Sequence, residues 1–196
     1  SKRPTEDGTR QTVSVEGGSY GTAALAYGLV QKQGALETSL NITKLHTEGY
    51  SAASSGTEAD GADLTRLSFG ARYQASDRVA VGGNLFAQRV VQDYDGFDPV
   101  TFLPADAANV QTRREAGARV FAEVTAGNTR HVFDVTAFDV RRDYDDLFGG
   151  SSYAGNRLGF SWHATTDLSD ALTLVYGADT MREDATYTNL PGGSTD

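Results

Sequence analysis

Apolar and polar residues alternate along most of this chain. In "DLTRLSFGARYQ", Leu67, Phe69, Ala71 and Tyr73 share one face, and Ser68, Gly70 and Arg72 the other. In "EAGARVFAEV", Ala116, Ala118, Val120, Ala122 and Val124 line one face, opposite Glu115, Arg119 and Glu123. The runs "TAALAYGLV" and "ALTLVYGADT" repeat the pattern. A period of two is the period of a β-strand, whereas an amphipathic helix needs apolar residues at i, i+3 and i+4. The pattern predicts nine strands, at 11–18, 21–31, 36–47, 63–75, 78–91, 112–126, 130–142, 156–166 and 171–184.

These strands are long for a soluble sheet, where about 5–6 residues is usual. Ten residues tilted by about 45° rise roughly 23 Å, close to the apolar band of about 25 Å on an outer-membrane barrel. The connections alternate in length. Short turns at 31–35, 75–77, 126–129 and 167–170 are interleaved with long polar loops at 48–62, 92–111 and 143–155. An up-and-down transmembrane barrel places short turns at one end and long loops at the other. The fold expected is therefore all-β: an antiparallel up-and-down transmembrane β-barrel. It is expected to be partial, about nine strands of a larger barrel, because single-chain bacterial barrels have even strand numbers. Unpaired strand edges are also costly in lipid.

Composition narrows the function. The chain has 196 residues, a net charge of −9, no cysteine, 22 glycines and four prolines. An acidic chain lacks the basic stripe that nucleic acid requires. Without cysteine there is no disulfide framework, thiolate metal site or thiol nucleophile. The three histidines, His46, His131 and His163, fall in separate strands without metal-ligand spacing, and a catalytic triad needs converging groups. An enzyme is not expected. His163, beside Trp162, is expected near a membrane interface. The polar opening "SKRPTEDGTR" has no apolar signal-peptide core, so a mature segment or a piece of something longer is expected.

Acidic residues gather in the long loops, at "GTEADGAD" and "QDYDGFD". Calcium takes six to eight oxygen ligands, which two adjacent rim loops can supply. Aspartate and glycine also make ordinary turns, so the loops alone fit both readings. An EF-hand is excluded, because position 12 counted from Asp93 is Pro104. The segments "RRDYDDLF" and "MREDATYT" end strands at the same rim. Their Tyr144, Phe148 and Tyr187, with Tyr50 and Phe97 in neighbouring loops, offer apolar contact to a ligand, or else form the aromatic girdle of a barrel.

The order of several motifs resembles one family. "SKRPTEDGTR" followed by "VSVEGGSYGT" is similar to the plug–barrel junction of TonB-dependent outer-membrane transporters. "SLNITKLHTEGYSAA", "TEADGADLTRLSFGARYQASDRVAVGGNLFAQRVVQDYDGFD" and "QTRREAGARVFAEV" resemble early barrel strands and loops of its cobalamin branch. The resemblance implies that residues 1–10 end a plug or plug–barrel linker and that 11–196 are the N-terminal part of a barrel. It implies import of a scarce large ligand, cobalamin-like or a metal chelate, across the bacterial outer membrane. Energy would come from the TonB complex through a plug not contained in this chain. It implies calcium at Glu58, Asp60, Tyr94 and Asp95, and more loosely at Asp106. The family has a further acidic ligand where this chain has Ser51. The alternative expectation is a small outer-membrane barrel, or a calcium-tuned surface binding protein, without transport.

Overall fold

The computed structural model describes residues 6–51, 56, 58–98, 100–101, 103–146 and 149–191. These form nine strands: β1 Gly8–Gly17, β2 Ala23–Gln33, β3 Leu36–Thr47, β4 Ala62–Ser76, β5 Val79–Phe97, β6 Pro104–Ala126, β7 Thr129–Asp146, β8 Gly149–Ser169 and β9 Leu172–Pro191. They make one sheet in sequential order. Every neighbouring pair is antiparallel. Among the described residues β1 pairs only with β2, and β9 only with β8, so the sheet is open at both edges.

Existence and order of the nine strands agree with the alternation. Two of the long loops do not. Residues 92–97 continue β5, 104–111 belong to β6, and the turn between them spans only 98–103. Likewise β7 runs to Asp146 and β8 starts at Gly149. An antiparallel ladder extends as long as each backbone group finds a partner across the gap. Here both faces are polar, so the ladder continues where the alternation fades. Only the β3–β4 connection, 48–61, remains long. β1 begins at Gly8, inside the segment 1–10 expected to precede the barrel; residues 1–5 lie outside the described residues.

The tight turns at the opposite end need glycine. Gly34 and Gly127 have φ of 56° and 62°, a region that side chains with a Cβ enter at a steric cost.

The two faces differ in an unusual direction. Leu67, Phe69, Leu85, Val120, Val135 and Leu158 lie on the apolar face, and all are exposed. The charged face holds most of the buried residues, among them Phe121, Val132, Asp134 and Val140. Among the described residues no second layer covers it, so this burial comes from side chains of the sheet converging on one another. Arg72 of β4 reaches Glu123 of β6 at 3.4 Å, across β5. Gly82 lies between them, in register with Arg72 and Phe121. Phe86 and Phe138 meet in the same way over Gly117 of β6, with ring centroids 6.3 Å apart. Side chains bridge over an intervening strand on the concave side of a coiled sheet, and glycine in a strand marks such a bend.

A Cβ on Gly82 would meet Ala71 O at 2.5 Å and Phe121 Cζ at 2.6 Å, whereas at Gly17 it would meet nothing. Gly82→Ala should therefore lower stability by about 1–3 kcal/mol through overpacking. Gly17→Ala should be nearly neutral. Urea unfolding, followed by tryptophan fluorescence, checks both, and equal midpoints for the two variants would refute the crowding at Gly82.

Candidate functional site

The stretch "QDYDGFD" divides its three aspartates among three tasks. Asp93 ties the β3–β4 loop to β5 through its backbone, donating its N–H to Gly61 O at 2.9 Å. Asp98 caps the β5–β6 turn. Its Oδ1 accepts from Thr101 N at 2.7 Å, Val100 N at 2.9 Å and Thr101 Oγ1 at 3.0 Å. Those donors, the Thr101 amide foremost, hold the Asp98 carboxyl below the usual carboxylate range. Asp95 faces Glu58 and Asp106.

Asp95 sits at an irregularity in the ladder. Tyr94 pairs with Asn109 and Gly96 with Ala105, so three residues of β6 stand opposite one of β5. Such a bulge re-aims side chains. Gly96 shares a face with Asn109 and Ala107: a Cβ there would meet Asn109 Nδ2 at 2.9 Å and Ala107 Cβ at 3.5 Å. Asp95 and Asp106 fall on the other face, where the β3–β4 loop brings Glu58 to them. One carboxylate oxygen from each of Glu58, Asp95 and Asp106 lies within 4.8 Å of the others.

Of the residues expected to share a cation, then, Glu58, Asp95 and Asp106 are assembled. Asp60 lies close enough to repel Glu58. Tyr94 is separated from the cluster: its register with Asn109 turns its side chain to the concave face. There burial, followed by Asp146, Tyr144 and Asp145, pushes its phenol above the usual range. Asp106, the looser expectation, proves integral. Ser51 also belongs here, since a Cβ on Gly56 would lie 1.8 Å from Ser51 Oγ and 2.7 Å from Asp106 Oδ1.

The rim aromatics are dispersed. Tyr50 is exposed and packs on Tyr20 of the β1–β2 turn, with centroids 5.4 Å apart. Phe97 and Tyr187 are exposed, and Tyr187 pairs in register with Tyr153. Tyr144 lies on the concave face, in register with Gln111 and Ser151. Phe148 lies outside the described residues.

Of the histidines, His131 rather than His163 joins Trp162. Trp162 Nε1 donates to His131 Nδ1 at 3.4 Å, and Tyr176 meets the indole edge-on at 5.8 Å. His163 pairs with Val132 on the opposite face. No protein-family description matches the chain, and no characterised protein matches it significantly.

Packing of the loop removes hydration from Glu58, and Asp106, Asp95, Asp60 and Asp93 add their repulsion, so its pKa is raised. The folded chain holds this proton more tightly than the unfolded chain. The contribution is therefore fully present below the ordinary glutamate value and is lost as pH rises through the raised one. Carboxyl NMR titration should place the Glu58 midpoint above the ordinary glutamate range, and Asp106→Asn should lower it. A midpoint at or below the ordinary value would contradict the clustering.

Proposed function

We propose that this sheet is the wall of an outer-membrane β-barrel of the TonB-dependent transporter kind, closest to the cobalamin branch. The observation that carries this reading is the course of the apolar face. A soluble sheet buries its apolar face, but here that face is the exposed one.

The apolar positions also form a band oblique to the register rows. In one row Ile42, Leu67, Ala87 and Ala116 are apolar, but the row continues into Asp139, Asn156 and Asp184. At the other end of the strands, the row of Val79 and Val124 continues through His131, Ala164 and Tyr176. The band thus descends along the strands from β3 to β9. Strands tilted and staggered in a barrel wall give this course, because a level membrane crosses them obliquely. The His131–Trp162–Tyr176 group lies near the short-turn end, where amphipathic rings favour a membrane interface.

In this reading the apolar face meets outer-membrane lipid and the concave face meets the lumen. The free edges of β1 and β9 require further strands, because unpaired backbone is very costly in hydrocarbon. The transported ligand is cobalamin-like or a metal chelate, and energy arrives from the TonB complex through the plug. The rim cluster suits calcium. Its donors are hard oxygens, and two ligands on opposite sides of an ion at 2.3–2.6 Å stand about 4.6–5.2 Å apart, matching its spread. Glu58, Asp95 and Asp106 would hold the ion, which would neutralise their repulsion and pin the β3–β4 loop to the β5–β6 hairpin. The same cluster would serve a calcium-tuned barrel without transport, so uptake is the deciding measurement.

Three results are expected. Cells lacking the gene should lose energy-dependent uptake of cobalamin or of ferric chelates, and unchanged uptake of all of them would overturn the transport reading. Leu85→Arg, in the middle of the band, should cost about 2–4 kcal/mol in lipid. Gln88→Arg, on the lumen face beside Glu115, should be tolerated; equal costs would refute the assignment of faces. Calcium titration should show one site, lost on replacing Asp95 or Asp106 by Ala and weakened on replacing Asp60. The affinity should fall as pH drops through the raised Glu58 value.

A further inference from the structure

The concave face carries a second cluster, of opposite sign, near the long-loop end. Arg113 of β6 and Arg142 of β7 are direct register partners. Like charges placed opposite one another on adjacent strands are destabilising. The Nε of each is buried and makes no hydrogen bond. Arg113 has a loose ion pair with Glu115 at 3.5 Å, but that carboxylate also accepts from Gln88 Nε2. Arg142 lies over the Tyr153 ring, 5.9 Å from its centroid, and forms no ion pair with a carboxylate among the described residues. Of the two guanidinium groups only that of Arg113 therefore has a carboxylate beside it, and Glu115 is shared with Gln88.

The surroundings suit a ligand rather than bare solvent. The same register row continues from Arg142 to Tyr153 and Tyr187. The next row on the same face holds Gln111 and Tyr144. One step higher is Asn109, only 4% exposed, whose side-chain oxygen also makes no hydrogen bond. Planar guanidinium groups bind carboxylate and phosphate through paired N–H bonds, and aromatic walls add contact to an apolar body.

We propose that Arg113 and Arg142 form a binding site for an anionic organic ligand, one bearing a carboxylate or phosphate on a ring-like body. The anion spans the two guanidinium groups, and Tyr153 packs against the body. The site deepens the transport reading by naming the ligand's chemical class, and it rests on that reading only for its being reached through the lumen.

Phenyl phosphate, inorganic phosphate and phenol are the probes, titrated against the detergent-solubilised protein by calorimetry. Phenyl phosphate should bind with a higher affinity than inorganic phosphate, and phenol should not bind measurably. Arg113→Gln and Arg142→Gln should each weaken phenyl phosphate at least tenfold, and Tyr153→Leu should weaken it less. The urea midpoint of the arginine variants should not fall, since each relieves a like-charge pair, and calcium affinity should stay unchanged, which separates loss of the site from loss of the fold. Raising salt should weaken binding. Equal binding by wild type and both arginine variants would overturn the proposal. So would the absence of phenyl phosphate binding, as expected if another part of the protein already supplies carboxylates to the pair. A protein that imports its ligand yet ignores phenyl phosphate would refute this site alone. One that binds phenyl phosphate but supports no uptake would refute transport alone.

Discussion

The described residues form a single-layer sheet with no second layer among them to bury itself against, and this constraint organises the structure. Backbone groups are satisfied by the ladder, strand after strand, but each face must find its own surroundings. The apolar face keeps Leu67, Phe69, Leu85 and Val135 exposed, which water alone would not reward. The charged face instead covers itself. Arg72 lies between Glu37, at 4.0 Å, and Glu123, at 3.4 Å, and Glu123 also holds Arg130 at 3.0 Å. Arg119 pairs with Asp134 while lying over the Phe121 ring. A face packed with mutually bound charges and a face with an exposed apolar band would be the two halves of one solution if, as proposed, lipid lies on one side and a polar interior on the other.

Curvature follows from the same division. Side chains on the charged face must meet across strands to satisfy one another, and a Cβ on the strand between would block them. Glycine at 82 and 117 removes that obstacle where Arg72 meets Glu123 and Phe86 meets Phe138. Bending toward the charged face shortens these contacts and spreads the apolar face, which suits large aliphatic side chains.

The strands were legible because the apolar face repeats with period two within the band. Above the band that signal ends, and β5, β6, β7 and β8 continue where sequence reading places loops. Two polar faces carry no alternation, so only pairing between strands reveals the extension. The same limit hid parts of both sites. Asp95 and Glu58 stand out as acids near turns, but Tyr94 cannot be assigned to a face without register. Nor can Asp106 be joined to Asp95 without the bulge. Arg113 and Arg142 lie 29 positions apart by numbering, in segments that read as ordinary solvated charge. Their opposition exists only once β6 is registered against β7.

The bulge in the β5–β6 hairpin is where the two clusters are kept distinct. With regular pairing continued upward from Tyr94 and Asn109, Asp95 would face Ala108, and Asp106 would face Phe97. The observed shift places Asp106 within the span opposite Asp95, and so allows three carboxylates to converge. It leaves Tyr94 and Asn109 on the concave face, in line with the arginine pair. Four residues of strand separate Asn109 from Arg113, about 13 Å at 3.3 Å per residue, and the clusters occupy opposite faces. That separation exceeds the screening length of about 8 Å at physiological salt. The acidic cluster therefore does not neutralise the arginines; on the proposed readings a cation would meet the one at the rim and an anion the other on the concave wall. β6 carries both Asp106 and Arg113, so a shift in its register would alter the two clusters together.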